Sequence, residues 1–301
     1  MIYPHHEFTT DHPSRIVDRV TQTAAAAGTL KLGDLTVNRM GFGAMRVAGA
    51  YVWGMPRDSA DMKKLLLRAY ELGHNFFDTA DSYGPDVSEI LIAEALHPYP
   101  KDLVIGTKGG LVRPTRHRWD NCGRPDHLRK AVDGSLRKLR LERIDLYQYH
   151  YPDPEVPFAE SMGALAELQR SGKIRHLGVS NVTVKQLEEA RRIAPIVSVQ
   201  NEYHIEYREF EAVLAACERA GIAFIPWYPL GAGRVLRSEK LKRVAARRGA
   251  TPAQVALAWL LARSSVMLPI PGTRSIAHLE ENAAAARLAL STEDLAALDR
   301  A

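Results

Sequence analysis

Cysteine is scarce in this chain, with only two residues among 301. Cys122 and Cys217 lie in different contexts, and their spacing gives neither a disulfide framework nor the paired ligands of a metal site. Long apolar stretches are also missing, since no run approaches the roughly 18 residues that a membrane helix requires. Residues 1–28 are polar and lack the apolar segment of a signal peptide. These absences predict a cytoplasmic protein with no membrane segment and no bound metal.

Charge of one sign is not concentrated anywhere along the sequence. The net charge is +5, and the arginines behind it are scattered among Glu and Asp in helical stretches. This distribution is typical of solvated helix faces rather than of a nucleic-acid-binding surface. With 46% hydrophobic and 25% charged residues, the chain has the composition of a globular protein with a sizeable core.

A glycine-rich phosphate loop, which opens dinucleotide-binding domains, is absent as well. Segment 41–46 has two glycines, but Arg46 stands where the third glycine is required. The first predicted helix also begins too far downstream for such a loop. This argues against two doubly wound domains, the main alternative for a chain of this length.

What the sequence contains instead is a regular alternation of strand and helix patterns. Eight apolar runs are predicted as strands, at 40–44, 75–78, 103–107, 144–149, 176–179, 196–200, 223–226 and 267–270. Amphipathic stretches are predicted as helices, at 59–72, 85–96, 125–139, 158–171, 183–193, 206–220 and 252–262, with two more beginning at Ser275 and Thr292. Thr251 before Pro252, and segment 181–183, carry the capping residues of helix starts.

This order of elements predicts an α/β fold with one (β/α)8 TIM barrel. Segment 29–37 has the pattern of a β-hairpin that turns at Gly33 and Asp34, and we expect it to close the bottom of the barrel. No linker or change of composition interrupts the alternation. Residues 29–301 are therefore predicted to form a single domain, preceded by a polar tail at 1–28.

Four polar residues stand at or just after the ends of predicted strands: Asp78, Tyr83, Lys108 and His150. The carboxyl ends of parallel barrel strands share one face, and barrel enzymes perform their chemistry there. We therefore expect these residues to meet. A tyrosine, a lysine, a carboxylate and an imidazole form a proton-donating group rather than a metal site or a nucleophile.

Tyr83 is the candidate proton donor of this cluster. A free tyrosine has a pKa of about 10, and a nearby ammonium group lowers it by favouring the phenolate. We expect Lys108 to have this effect, with Asp78 pairing the lysine charge. Each residue alone also has an ordinary explanation, as a loop aromatic, a surface lysine, a helix cap or, for His150, a core imidazole. Beside Tyr83, His150 can donate to the same carbonyl oxygen.

Several motifs occur in an order that is typical of one family. They are Gly41-Phe42-Gly43-Ala44-Met45, the Asp78 and Tyr83 pair, Lys108, His150, Gly178-Val179-Ser180-Asn181, Gln200-Asn201-Glu202-Tyr203, Pro229-Leu230-Gly231 and Ile270-Pro271-Gly272-Thr273-Arg274. On these residues the chain, from Thr29 to its end, resembles the aldo-keto reductases. The resemblance implies an enzyme that uses NADPH to reduce an aldehyde or ketone to an alcohol by hydride transfer, with Tyr83 as general acid.

The resemblance also implies an extended cofactor across the mouth of the barrel. Ser180, Asn181 and Gln200 would hold the nicotinamide carboxamide, and Trp227 would stack on the nicotinamide. The other residues implied to contact the cofactor are Pro229, Leu230, Gly231, Gly272, Thr273, Arg274, His278, Glu281 and Asn282. Arg274 would bind the 2′-phosphate of NADPH. Because a histidine replaces the arginine that many members use beside this phosphate, NADH is an alternative cofactor.

The substrate side is predicted in outline. The candidates for the pocket wall follow strands and are Arg46, Val47, Trp53, Trp119 and Tyr151. The long loop 109–124 carries Arg113, Arg116 and Arg118, and it forms either a wall for an anionic or polar aromatic substrate or a solvated flap. These patterns indicate a small-molecule carbonyl substrate without naming it.

Two further resemblances bear on function. The spacing around Pro56-Arg57 and segment 199–203 is similar to that of bacterial members related to pyridoxal reductases. The family also contains potassium-channel β subunits, which keep the barrel and the cofactor but serve as binding or sensing modules. The complete set of four catalytic candidates favours an enzyme. No pattern indicates an oligomeric state.

Overall fold

Strands and helices alternate through the computed structural model, which describes residues 24–299. The strands are β1 (Thr29–Leu32), β2 (Leu35–Asn38), β3 (Phe42–Gly43), β4 (Phe76–Asp78), β5 (Val104–Gly109), β6 (Leu111–Thr115), β7 (Arg118–Asn121), β8 (Ile144–Tyr149), β9 (Ile174–Ser180), β10 (Ile196–Glu202) and β11 (Ala223–Trp227). The α-helices are α1 (Ser59–Glu71), α2 (Val87–Leu96), α3 (Pro125–Leu139), α4 (Phe158–Arg170), α5 (Val184–Ile193), α6 (Glu211–Ala220), α7 (Glu239–Arg248), α8 (Pro252–Arg263), α9 (Ile276–Ala284) and α10 (Thr292–Asp299). Parallel strands lie side by side in the order β3, β4, β5, β8, β9, β10, β11. The predicted α/β barrel is confirmed.

The segment after α8 closes the barrel without forming a regular strand. Residues 267–270, predicted as the eighth strand, make only an isolated bridge to Phe224 in β11. On the other side, the backbone N–H of Gly41 donates to the carbonyl of Pro269 at 3.0 Å. Pro269 and Pro271 have no N–H to donate, so a regular ladder cannot form here. The few bonds present still connect the last strand of the sheet to the first.

The hairpin of β1 and β2 covers the N-terminal end of the barrel, as predicted. Leu32 and Val37 are fully buried and pack against the residues that fill the barrel interior. Asp34, in the turn, accepts hydrogen bonds of 2.5 Å from both Arg175 and His176, which lie at the start of β9. The hairpin is thus attached to the face opposite the strand ends that carry the candidate catalytic residues.

The helix starts that the sequence marks are the ones that the structure uses. Thr183 and Thr251 each cap a helix, α5 and α8, in a reciprocal box with the glutamine three residues later. The hydroxyl of Ser275 accepts from the backbone N–H of His278 at the start of α9. These caps satisfy donors that a helix start would leave unpaired.

Two helices, α6 and α7, depart most from the prediction. Helix α7 was not predicted, because it is rich in basic residues and buries only three side chains, those of Leu241, Val244 and Ala245. Helix α6 begins at Glu211 rather than at 206, because His204 and Tyr207 form a bridged turn before it. Prediction from hydrophobic periodicity detects only elements whose apolar residues recur at regular spacing, and these two features lack such spacing.

Of the predicted tail at 1–28, residues 1–23 lie outside the described residues. Residues Ala24–Ala27 form a 3-10 turn, and the N–H of Ala24 donates to the carbonyl of Leu72 at 2.9 Å. Between residues 24 and 299, no helix combines the length and the apolar character needed to cross a membrane.

Candidate active site

Asp78, Lys108 and His150 lie at the C-terminal ends of β4, β5 and β8, and Tyr83 lies on the loop after β4. The Nζ atom of Lys108 is 2.6 Å from Oδ1 of Asp78 and 3.4 Å from the hydroxyl of Tyr83. The rings of Tyr83 and His150 meet edge to face, with centroids 5.8 Å apart. The structure therefore brings together all four residues that the strand ends single out.

The second oxygen of Asp78 is held by two side-chain amides. Nε2 of Gln200 donates to Oδ2 of Asp78 at 2.8 Å, and Nε2 of Gln148 donates to the same atom at 3.3 Å. The hydroxyl of Ser198 in turn donates to Oε1 of Gln148 at 3.1 Å. Sequence reasoning missed Gln148, although it stands two residues before His150 and so shares the inward face of β8.

Burial sets the protonation of the tyrosine and the lysine. Burial raises the pKa of Tyr83 well above its usual value, and the negative charge of Asp78 adds to this. Burial lowers the pKa of Lys108, while Asp78 opposes the shift. The sequence argument, in which Lys108 lowers the pKa of Tyr83, is thus corrected. The carboxylate lies closer to the ammonium than the phenol does and neutralises it, and a dry site disfavours the phenolate.

His150 is held as a neutral imidazole. Burial lowers its pKa well below the usual value, and the charge of Lys108 acts in the same direction. Its Nδ1 atom is 3.5 Å from the hydroxyl of Ser82, and its backbone carbonyl accepts from Nδ2 of Asn181 at 3.0 Å. A neutral ring carries one N–H, which can donate to an oxygen without bringing a second positive charge beside Lys108.

A cavity of about 780 Å³ opens over these residues at the mouth of the barrel. Of the residues implied for the cofactor, all but Gly231 line it, and Arg46, Trp119 and Tyr151 line it from the substrate candidates. Gly231 does not line the cavity. It adopts a left-handed conformation and packs against His204. The sequence missed Tyr228, which lines the cavity and packs edge to face on Trp227 at 4.8 Å.

Two substrate candidates lie elsewhere, which corrects the prediction. Val47 is fully buried in the hydrophobic core between barrel and helices. Trp53 lies against the guanidinium of Arg113, 5.3 Å from its ring centroid, and its backbone bridges to Gly84. Position after a strand therefore did not suffice to place a side chain in the cavity.

The cavity has different chemistry at its two ends. At the barrel centre, Asn181 adopts a left-handed conformation, with φ of 57°, and its Oδ1 atom accepts from the indole of Trp227 at 3.0 Å. At the far end, the guanidinium of Arg274 lies just before the start of α9. Amides at one end suit a carboxamide, and a guanidinium beside a helix start suits a phosphate. The residues present fit an extended nicotinamide dinucleotide.

The guanidinium of Arg274 is hydrogen-bonded to three other residues of the chain. Its Nη1 atom donates to the carbonyls of Arg46 and Ala48, at 3.0 and 2.7 Å. Its Nη2 atom donates to Oδ1 of Asp58 at 2.5 Å. These bonds join the loop after β3 to the segment that follows the barrel closure, and they bring an acidic group next to the proposed phosphate position.

The loop 109–124 contains a β-hairpin of β6 and β7. Its three arginines do not face the cavity as free cations. Arg113 donates to backbone carbonyls, Arg116 lies over the ring of Tyr51, and Arg118 pairs with Asp120. The hairpin instead contributes an aromatic wall, because Trp119 lies edge to face with Tyr83 at 6.4 Å.

Comparison with known proteins agrees with this geometry. The model of the aldo/keto reductase family matches residues 39–301. The chain is 50% identical over 277 residues to an uncharacterized oxidoreductase of Schizosaccharomyces pombe, covering 92% of this chain and 90% of the relative. It is 47% identical over 281 residues to pyridoxine 4-dehydrogenase of Escherichia coli, covering 91% and 98%. The crystal structure of an aldo/keto reductase from Klebsiella pneumoniae with NADP and acetate matches with a TM-score of 0.75 at 27% identity, covering 90% and 94%.

Proposed function

The chain belongs to the aldo/keto reductase family, and we propose that it is an NADPH-dependent oxidoreductase that reduces an aldehyde or ketone to an alcohol. The observation that carries the proposal is the buried position of Lys108. It is hydrogen-bonded to Asp78 and to the hydroxyl of Tyr83, and both of these partners line one large cavity. The NADP-bound family structure supports the cofactor. The two relatives, named as an oxidoreductase and a dehydrogenase, support the reaction class.

We assign the cofactor to the part of the cavity between Ser180 and Asn282. Asn181, Gln200 and Ser180 would bind the carboxamide, and Arg274 would bind the 2′-phosphate. When bound, NADPH supplies a hydride to the carbonyl carbon of the substrate. The aromatic side chains of Trp227 and Tyr228 line the same part of the cavity and offer ring faces against which the nicotinamide would pack.

The residues of the chain orient the carbonyl group and supply the proton. The N–H of neutral His150 and the hydroxyl of Tyr83 both orient the substrate carbonyl. As its oxygen gains charge, Tyr83 transfers its proton to that oxygen, and the O–H bond of the alcohol forms. The ammonium of Lys108 stabilises the phenolate left behind, and Asp78 keeps the ammonium in place. Tyr83 recovers a proton before the next turnover.

Two observations support a substrate class: the similarity to pyridoxine 4-dehydrogenase and the aromatic residues that line the cavity. The similarity to pyridoxine 4-dehydrogenase supports an aldehyde on a six-membered heteroaromatic ring, as in pyridoxal. Trp119, Tyr151 and Tyr228 line the cavity and provide apolar faces for such a ring. Pyridoxal is therefore the first carbonyl to assay.

The test is NADPH oxidation with a panel of pyridoxal, aromatic aldehydes, methylglyoxal and larger ketones. Tyr83→Phe removes the transferable proton, and we expect turnover to fall by about a hundredfold or more, with NADPH affinity unchanged. NADPH binding is measured separately by its fluorescence. Wild-type turnover in the Tyr83→Phe variant would disprove the mechanism. Tight NADPH binding without turnover of any carbonyl would favour the cofactor-sensing alternative.

A further inference from the structure

Every N–H of the Arg113 guanidinium donates to a backbone carbonyl. Arginine has five such donors, and the structure gives one bond to Nε and two each to Nη1 and Nη2. The acceptors are the carbonyls of Arg118 (3.2 Å), Val52 (2.9 Å), Ser82 (3.5 Å), Tyr51 (3.3 Å) and Arg116 (2.7 Å). The side chain is 7% exposed, so this charge is buried among carbonyl dipoles.

These carbonyls belong to three segments that surround Tyr83. Tyr51 and Val52 lie in the loop after β3, Ser82 directly precedes Tyr83, and the remaining two lie in the hairpin β6–β7. Val52 has a φ of 56°, a left-handed conformation that a β-branched residue rarely adopts. The strained loop presents its carbonyls to Arg113, which indicates that the surrounding contacts hold it in this form.

The same guanidinium fixes an aromatic ring of the cavity. Its carbon atom lies 3.6 Å from the ring centroid of Trp119, and Trp53 lies on another side at 5.3 Å. Trp119 remains 39% exposed and lines the cavity, with its ring 6.4 Å from that of Tyr83. Arg113 thus contacts the ring of Trp119, while another part of the same side chain is exposed to the cavity.

We propose that Arg113 is a positioning residue for the substrate: it fixes the hairpin β6–β7 so that Trp119 forms a rigid wall beside Tyr83, and the site thereby selects carbonyl compounds with a flat aromatic ring. This inference rests on the proposed reductase function. A flat ring gains from a preordered aromatic wall, whereas a small aliphatic carbonyl does not reach it. Arg113 itself has no donor left for a substrate anion.

The experiment compares Arg113→Lys with Arg118→Lys, each made in the wild-type and the Trp119→Ala background. Lysine keeps the charge but has three donors on one atom, so it cannot bond all five carbonyls. Arg118, on the same hairpin, pairs with Asp120 at the surface and serves as the control. Kinetics are measured with 4-nitrobenzaldehyde and with methylglyoxal, and acrylamide quenching of Trp119 is obtained by difference against Trp119→Phe.

We expect Arg113→Lys to lower kcat/KM for the aromatic aldehyde about tenfold, mainly through KM, and to change methylglyoxal less than about twofold. Trp119 becomes more accessible to acrylamide, and NADPH affinity is unchanged. In the Trp119→Ala background, Arg113→Lys no longer lowers kcat/KM for the aromatic aldehyde, because the indole that Arg113 positions is absent. Arg118→Lys behaves as the wild type throughout.

An unchanged ratio between the two substrates, or a penalty that persists without Trp119, overturns the inference while leaving the reductase function intact. Failure of the wild type to reduce any carbonyl overturns the reductase function itself. The two failures are distinguishable, because the ratio of kcat/KM values can be measured only if the wild type is active. Should Arg113→Lys fail to fold, Trp119→Ala alone decides. Trp119 is 39% exposed and lies outside the hydrophobic core, so its replacement is compatible with folding. Retention of the aromatic preference in Trp119→Ala refutes the proposal.

Discussion

The side-chain amide of Gln200 donates a hydrogen bond of 2.8 Å to Oδ2 of Asp78, across a separation of 122 residues in the chain. The carboxylate is thereby fixed in two directions, since its other oxygen pairs with Lys108. Gln200 also lines the cavity, whereas Gln148, the second amide on Asp78, is fully buried behind it. Gln148 therefore supports the carboxylate without reaching the cavity, whereas Gln200 both supports the carboxylate and lines the cavity.

Gln148→Met removes one donor from Asp78 without changing the cavity wall. A hydrogen bond to a charged group contributes about 1.5–3 kcal/mol, so we expect kcat to fall by about tenfold or more. The dissociation constant of NADPH, measured by fluorescence titration, stays unchanged. Gln169→Met, which affects a bond to the carbonyl of Arg175 away from the cavity, is the matched control. A changed cofactor affinity in Gln148→Met contradicts this division of roles.

The pH dependence of carbonyl reduction follows from the two pKa directions. The pKa of Tyr83 is raised and that of His150 is lowered, both mainly by burial, so neither group changes protonation near neutrality. We expect kcat/KM for reduction to be flat between about pH 6 and 9. Alcohol oxidation should rise with pH, because it requires the phenolate of Tyr83. An inflection near the usual pKa of histidine, lost in His150→Gln, would show that His150 titrates instead.

Asp58→Asn should strengthen the binding of NADPH and leave that of NADH unchanged. The carboxylate competes with a 2′-phosphate for Arg274, while the carbonyls of Arg46 and Ala48 keep the guanidinium in place. Half-exposed ion pairs contribute at most about 1 kcal/mol, so the gain is limited to about fivefold. The control is Asp61→Asn, which affects an exposed pair with Lys64. Weaker NADPH binding would mean that Asp58 orients Arg274 for the phosphate.

His74 makes the fold sensitive to acid. Burial lowers the pKa of this fully buried histidine from 6.5 to about 4, and Nδ1 donates to the carbonyl of Met40 at 2.9 Å. Between these values the unfolded chain binds a proton that the folded chain does not. Stability is therefore lost as the pH falls through this window, by about 1.4 kcal/mol per pH unit for one proton.

Urea unfolding at several pH values tests this effect. His74→Gln keeps a donor for Met40 and should reduce the slope by about one proton. His150 contributes to the same slope, so some dependence stays. An unaltered slope in His74→Gln would show that this histidine is charged in the folded protein.

Much of the fold could be predicted because each part had a local signal. The capping boxes of Thr183 and Thr251 are set by residues three apart, and apolar strands alternate with amphipathic helices. The eighth strand was overpredicted because its apolar residues satisfy the pattern while Pro269 cannot donate to a ladder. Apolar content predicts burial, but backbone donors decide pairing.

The hairpin β6–β7 had no such signal. Pro114 lies inside β6, the register shifts between Val112 and Thr115, and the turn carries no glycine. The acceptors of Arg113 are backbone carbonyls, and no side-chain pattern records them. The direction of the pKa shift of Tyr83 was likewise beyond the sequence, because it depends on how deeply the phenol is buried and on how close Asp78 lies to it. Three-dimensional distance, not residue type, settles these features.

The closure of the barrel also affects the tendency of the protein to aggregate at high concentration. Within residues 24–299, the segment around Pro269 lies between β11 and the start of β3, so neither edge of the parallel sheet stays open to a strand of another molecule. This junction has fewer hydrogen bonds than the ladders between the regular strands. Substitutions that loosen it would expose both edges of the sheet and thereby favour aggregation.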